Sequence, residues 1–438
     1  MLQERIKKWM ESYAQNGYLN GSILIACSGQ VIFSEGFGMA NQVHKVPNTS
    51  TTKFRIGSLT KAFTAMCIFQ LDEEKKLNID DTLDKYIVDY PNGDRISIFH
   101  CLTNTTGIPN YTSFPDFWPY TMRLPATLNQ LIDSFKAHEL EFEPGSRFGY
   151  SNSGYALLTK IIESVSGMSY SDYIREKICI PLGMLHTGCD DGVRIVSNLA
   201  SGYSFFEEPI HAAYTDLSFP LGGYGLYSTT EDLFIWDQAL KTSRLISKYS
   251  TEKMFKPSHG SYACGWMISE MQGRTCINHF GDIDGYFSDF LRFVEDDVTI
   301  IFLSNMSVTP VTHLSREMAK VVFGENVSLP LSAEPIQFNE RDLIVGRYSD
   351  LNEMNTVLDI SLKNNELYLT VPKMYGVLYK FKLIPVNQDT TTVTFITEMV
   401  NEQLVFRYGA SGEIECVEYT DDSSNSHLLH KVAFKISE

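Results

Sequence analysis

Two residue pairs and one tetrapeptide in this chain could do chemistry together. Ser58 and Lys61 stand three apart in Phe54-Arg55-Ile56-Gly57-Ser58-Leu59-Thr60-Lys61-Ala62-Phe63. Residues i and i+3 of a helix share a face, so the hydroxyl and the amine can touch. A lysine taken into a buried helix needs a partner or sheds its proton, because desolvation lowers its pKa. A neutral or proton-sharing lysine beside a serine hydroxyl makes a nucleophile. Tyr150 and Asn152, in Phe148-Gly149-Tyr150-Ser151-Asn152-Ser153-Gly154, could pass a proton and bind a substrate carbonyl. His279-Phe280-Gly281-Asp282 offers a small residue where a substrate backbone could approach, and the Asp282 N–H could join that of Ser58 around an oxyanion.

Spacing alone is a weak signal. Ser50–Lys53 and Ser250–Lys253 repeat the first pair, and Tyr18-Leu19-Asn20 and Tyr90-Pro91-Asn92 repeat the second. His186-Thr187-Gly188 rivals His279, but its loop setting reads as structural. Context separates them. Only Ser58 opens an unbroken apolar run (Ala62, Phe63, Ala65, Met66, Ile68, Phe69, Leu71) that reads as a buried helix, and a helix N-terminus favours developing negative charge. His279 follows an apolar strand end and precedes the strand that opens at Tyr286.

The elements that must position these groups fall into two blocks. Met1–Met10 has the pattern of an amphipathic helix. Ser22–Cys27 and Val31–Phe33 read as a hairpin turning at Ser28-Gly29-Gln30. Helices and loops are expected from about Asp80 to Lys177, including a helix over Tyr155–Ile162 that stops near Gly167. Pro181 to Gly225 reads as irregular and as a source of pocket walls. Ser228-Thr229-Thr230-Glu231 has the form of a capping box. Strands return at Gly265–Ile268, Tyr286–Phe293 and Val298–Leu303, and a last helix covers about Ser315–Val322. Strands at both ends with helices between imply an α+β fold whose first hairpin joins the late strands in one antiparallel sheet. A domain of residues 1–325 is expected, then a linker over 326–342. An all-β domain over 343–438 follows, with hairpin turns at Asn364-Asn365 and Ala410-Ser411-Gly412.

Composition narrows the partners. The 438 residues are 43% hydrophobic and carry a formal net charge of −17, with no dense Lys/Arg block. Nucleic acid and anionic membrane surfaces are poor partners for such a chain. A small-molecule or peptide substrate fits better. No apolar window reaches transmembrane length, and no signal-peptide pattern opens the sequence, which suggests a cytoplasmic or membrane-peripheral location. The eight cysteines are scattered without a Cys-x-x-Cys pair and read as buried thiols. No metal-ligand spacing is present, so neither a metal nor a cofactor is expected. The Gly-x-Ser-x-Gly elbow of α/β-hydrolases is absent.

Ser-x-x-Lys, Tyr-x-Asn and His-x-Gly in this order resemble the serine β-lactamase and penicillin-binding-protein superfamily. The likeness covers about residues 20–325, includes Leu102–Pro109 and Gly225–Thr229, and points to class C β-lactamases, small penicillin-binding proteins and related esterases and D-aminopeptidases. The resemblance implies a β-lactamase/transpeptidase-like fold with an all-helical subdomain and a C-terminal lipocalin-like barrel. It implies that Ser58 forms an acyl-enzyme, that Lys61 shares its proton and that Tyr150 is the general base and then the acid. Asn152 would bind the substrate amide, and Ser58 and Asp282 would donate to the oxyanion. The expected activity is hydrolysis of D-Ala-D-Ala-type peptides or β-lactams. An esterase or D-aminopeptidase is the alternative, and a non-catalytic scaffold is the reading from another class. The sequence departs from the family at His279, where lysine is usual. A histidine is only partly charged near neutral pH, which argues against strong β-lactamase activity.

Overall fold

The computed structural model describes residues 2–331, 334–350, 357–372 and 378–432. Met1 of the expected first helix, Ser332 and Ala333 of the expected linker, and segments 351–356, 373–377 and 433–438 of the expected β domain lie outside the described residues.

A six-stranded sheet forms the frame, in the order Met267–Met271, Arg274–Ile283, Tyr286–Phe293, Val298–Ser304, Gly21–Cys27, Gln30–Phe37. Every neighbour is antiparallel. The N-terminal hairpin thus joins the late strands, as the alternation of apolar runs implies. Successive side chains of a strand point to opposite faces. Ile23 and Ile25 enter one core with Ile300 and Phe302, while Leu24 and Ala26 enter another with Ile301 and Leu303. Both faces are covered, which is why these strands read as continuous apolar runs.

The helices Leu2–Gln15 and Val311–Val322 cover the first face, the former through Ile6, Trp9, Met10 and Tyr13. Helices of the chain's middle cover the second. Central among them is Thr60–Glu73, apolar on all sides and buried along nearly its whole length. Asn152–Ser166 packs against it and ends at Gly167 in a left-handed cap, φ 71°.

Two local expectations need correction. The helix Thr230–Leu240 is capped by Thr229, whose side chain accepts from the Asp232 N–H; Ser228 belongs to the preceding strand, so the capping box does not form. The stretch read as irregular contains a hairpin, Tyr203–Phe206 with Glu208–His211.

Eight antiparallel strands from Gly346–Ser349 to Ser426–Val432 follow one another as neighbours, and the last pairs with the first. The result is a closed up-and-down barrel, whose closure leaves no free edge. Leu369, Phe381, Phe395, Leu404, Phe406 and Val417 fill its interior. The chain leading into it is tied down: Phe338 is buried against Phe395, and the Ile336 N–H donates to the Pro385 carbonyl. The 203–211 hairpin docks the barrel onto the rest of the molecule. Phe205 stacks on Phe381 at 5.7 Å, and Lys363 and Lys380 of the barrel both pair with Glu207.

Candidate active site

Ser58 sits in a single 3-10 turn, Gly57–Leu59, that feeds directly into the helix Thr60–Glu73. Gly57 has φ +51°, and a Cβ there would meet the Asp282 backbone N at 2.5 Å. A Cβ on Gly281 would lie 2.1 Å from the Ile56 carbonyl and 2.7 Å from the Ser58 N. Only glycine at both positions lets the turn and the strand come so close. Ser288, the cross-strand partner of Gly281, donates to the Ile56 carbonyl at 2.8 Å and fastens the turn to the sheet.

The helix presents Lys61 beneath Ser58. Lys61 is fully buried, and its Nζ is 3.1 Å from Ser58 Oγ. It also donates to Asn152 Oδ1 at 2.7 Å and to the Gly223 carbonyl at 2.9 Å. Ser58 Oγ lies 2.7 Å from the Tyr150 hydroxyl. The amine stands over the Tyr150 and Tyr155 rings, 4.8 Å and 5.2 Å from their centroids. Burial pulls the Lys61 pKa down to about 7, and the Asp282 charge opposes this only in part.

The neighbours of Lys61 suit both protonation states: three oxygens accept the three N–H groups of an ammonium, and two of them accept from a neutral amine. Such an amine has two N–H donors and one lone pair. The Asn152 and Gly223 oxygens accept and cannot donate, so they take the two N–H groups. In the neutral form that leaves the lone pair for the hydroxyl hydrogen of Ser58; in the charged form Nζ donates to Ser58 Oγ.

His279 lies on the sheet beside this group with 1% of its surface exposed. Its Nδ1 is 2.6 Å from the Phe280 carbonyl and its Nε2 is 3.1 Å from the Tyr262 hydroxyl. Nδ1 therefore carries the hydrogen, and Nε2 accepts. Burial, with the Lys61 charge added, pulls its pKa down to about 3. The sequence leaves this histidine partly charged; the fold makes it neutral and engages both ring nitrogens.

A cavity of about 600 Å³ opens over Ser58, Tyr150, Asn152 and His279. Phe114, Trp118, Phe148 and Ile283 give it apolar walls, while Asn110, Thr112, Asp282 and Asp284 give it polar ones. Burial raises the Asp284 pKa, and Thr215 donates to its carboxyl. Among the described residues, no arginine or lysine lines this cavity.

The structure brings Ser58, Lys61, Tyr150, Asn152, His279, Gly281 and Asp282 together. It leaves the rivals elsewhere. His186 is exposed, and Lys253 reaches Asp80 at 3.5 Å. Sequence reasoning missed three contributors: Gly223, Tyr262 and Thr112, whose Oγ1 accepts from the Asn152 amide at 3.2 Å. A glycine pair, Gly222-Gly223, is the one signal that pointed to the first. A Cβ on Gly222 would meet Thr159 Oγ1 at 2.5 Å. Among the described residues no three His, Cys, Asp or Glu side chains cluster as metal ligands would, and no helix is long and apolar enough to cross a membrane.

The β-lactamase family model matches residues 3–323. The chain belongs to the β-lactamase family. That membership places it among the serine hydrolases of the β-lactamase and penicillin-binding-protein superfamily. Penicillin-binding protein 4* of Bacillus subtilis is 28% identical, with 98% of this chain and 99% of that protein aligned. The structure of the octameric penicillin-binding protein homologue from Pyrococcus abyssi matches with a TM-score of 0.66 at 26% identity, covering 97% of this chain and 99% of that one. In both, the coverage takes in the β-barrel as well as the family domain. D-amino acid amidase from Ochrobactrum anthropi shares the fold of 74% of this chain, with a TM-score of 0.65 at 22% identity and 98% of its own length covered.

Proposed function

We propose that this protein is an acyl-enzyme hydrolase with Ser58 as nucleophile, acting on amide or ester bonds of small peptides and amino-acid derivatives. The observation that carries this reading is the meeting of three groups: Ser58 Oγ lies 3.1 Å from the buried Lys61 Nζ and 2.7 Å from the Tyr150 hydroxyl. Neutral Lys61 accepts the Ser58 proton as Oγ bonds to the substrate carbonyl carbon. The carbonyl oxygen, now negative, is held by the backbone N–H groups of Ser58 and Asp282. Tyr150 gives its proton to the departing nitrogen or oxygen as the carbon–heteroatom bond breaks, and the proton that Lys61 took from Ser58 restores Tyr150. Water then attacks the ester by the same route in reverse. The Asn152 amide faces the substrate carbonyl while its oxygen holds Lys61. We assign this chemistry to residues 1–325, with 326–342 as linker and 343–438 as a separate β domain.

The neutral His279 narrows the substrate. A D,D-peptidase or β-lactamase substrate carries a carboxylate, and among the described residues no cation lines the cavity to receive it. The reading therefore favours substrates without a carboxylate beside the scissile bond, such as amino-acid amides and esters, over penicillins. The amidase likeness supports the same choice. A non-catalytic scaffold has no use for a neutral lysine beneath a serine.

The test uses labelling and turnover together. A fluorophosphonate is expected to label wild type at Ser58 and to leave Ser58→Ala unlabelled. Short-chain p-nitrophenyl esters and D-amino-acid p-nitroanilides should be hydrolysed faster than nitrocefin. Absence of Ser58 labelling and of turnover in this panel would rule out the enzyme reading.

A further inference from the structure

The run Leu102-Thr103-Asn104-Thr105-Thr106-Gly107 lies outside the catalytic group. It closes the short helix Ile98–Leu102. The Thr105 N–H donates to the His100 carbonyl at 2.9 Å and the Asn104 N–H to the Cys101 carbonyl at 3.4 Å, the two bonds of a left-handed helix end. Asn104 takes the left-handed position, φ +53°, and is 1% exposed. Glycine is the residue that this position favours. A side chain here does something that the turn does not require.

Asn104 Oδ1 accepts from the Ser151 N–H at 3.1 Å, and the Asn104 carbonyl accepts from the Gly149 N–H at 2.9 Å. These donors stand on either side of Tyr150. One buried residue thus grips the chain before and after the side chain whose hydroxyl lies 2.7 Å from Ser58 Oγ. Tyr150 is 36% exposed where it lines the cavity, so packing holds it less than it holds Lys61 or His279. The Asn104 amide nitrogen acts in turn on the Tyr262 hydroxyl, opposing the rise that burial gives its pKa. The Tyr262 ring stands edge-on to that of Tyr150, 6.3 Å between centroids.

We propose that Asn104 is a positioning residue for Tyr150: by holding the Gly149 and Ser151 peptides it keeps the phenol where it can protonate the leaving atom. This rests on the assignment of Ser58 and Tyr150 above. A phenol at the end of a long side chain magnifies any turn of its backbone. A displacement of about 1 Å at a reacting group can cost about 10²-fold in rate.

The test compares two leaving groups in the full-length protein. p-Nitrophenolate departs as an anion and asks little of Tyr150, whereas p-nitroaniline must be protonated as it leaves. The ratio of kcat/KM for the better of D- and L-alanine p-nitroanilide to that for p-nitrophenyl acetate therefore reads the Tyr150 proton and cancels changes that slow both. Asn104→Gly keeps the turn and the bond to Gly149 but removes the bond to Ser151. It should lower the ratio about 10²-fold. Hydrogen exchange at the Ser151 amide should quicken while the 98–102 helix exchanges as before. Asn104→Asp keeps an acceptor for Ser151 and should hold the ratio within about threefold of wild type. Urea unfolding confirms that each variant is folded. Equal losses on both substrates in Asn104→Gly, no loss on either, unchanged exchange at Ser151, or a lowered ratio in Asn104→Asp would each overturn the proposal. Ser58-dependent hydrolysis of p-nitrophenyl acetate by wild type checks the hydrolase assignment by itself. If it is absent, that assignment falls; if it is present and the ratio does not change, only the role of Asn104 falls.

Discussion

Among the described residues one lysine and one arginine are buried, and their surroundings differ in one respect. Arg292, on the strand Tyr286–Phe293, is 2% exposed and meets a carboxylate: its Nε donates to Asp237 Oδ1 at 2.6 Å. Thr299 donates to Asp237 Oδ2 at 2.9 Å, and Lys241 adds a contact at 3.0 Å. Burial alone would push the Asp237 carboxyl up, but Arg292 and Lys241 outweigh it and hold it below its usual range. Lys61 is as deeply buried and meets only neutral oxygens. Where a buried cation has a carboxylate, the pair keeps its charge and holds structure. Where it has none, burial pulls the pKa of the cation down, and in the proposed mechanism a serine 3.1 Å away gains a base.

Removing either member of each pair should therefore break different things. Ser58→Ala is expected to lower kcat/KM for a p-nitrophenyl ester by about 10⁴-fold, and Lys61→Met by nearly as much. The two changes together should cost little more than either one, because the residues act as a unit. Steady-state kinetics on the four proteins check this, and additive losses would contradict it. Asp237→Ala should do the reverse. It strands Arg292 in the core, lowers unfolding stability by about 3–5 kcal/mol, and leaves kcat of the folded protein within about twofold of wild type. Urea unfolding beside kinetics reads both quantities.

The pH dependence sharpens the contrast. The folded chain releases the Lys61 proton near pH 7, whereas the unfolded chain keeps it up to about 10.5. Between these values the unfolded state binds more protons, so stability rises with pH. Relative to Lys61→Met, wild type should gain up to about 1.4 kcal/mol for each pH unit across that window. Asp237 titrates at the other end: its depressed pKa stabilises the fold above the ordinary carboxylate range, and that contribution is lost as the pH falls through the folded value. A Lys61→Met difference that is flat from pH 7 to 10 would place the charge back on Lys61. The smallest expected effect is at His279. His279→Lys introduces a cation beside the cavity and should raise penicillin acylation about tenfold relative to ester turnover. An unchanged ratio would show that a carboxylate has no access there.

Much of this was legible in the sequence because it is local. Ser58 and Lys61 share a helix, Tyr150 and Asn152 share a turn into another, and His279 and Gly281 share a strand. The six-stranded sheet follows from apolar runs long enough to be covered on both faces. The all-β character of the second domain follows from alternation punctuated by Asn364-Asn365 and Gly412, which take the positive φ that tight hairpins need; the pattern fits a barrel or a sandwich alike. What escaped depends on packing between distant segments. Gly223 reaches Lys61 only because Gly222 lies against Thr159. Tyr262 reaches the Nε2 of His279 from a segment with no pattern of its own. The 203–211 hairpin has strands of four residues, and much of its stability comes from Phe205 against the barrel. Asn152 was read as a substrate ligand alone; its 2.7 Å bond from Lys61 gives it a second use. His279 was legible in type but not in charge, since charge depends on burial.

The most direct measurement is the titration of Lys61 itself. With lysine labelled at Cε, the carbon resonance assigned through Lys61→Met reports the ionisation of this one amine. The account predicts a midpoint near pH 7, well below the other lysines. A resonance that stays in the ammonium position past pH 10 would contradict it, because Lys61 would then be a charged strut like Arg292 rather than the base that activates Ser58.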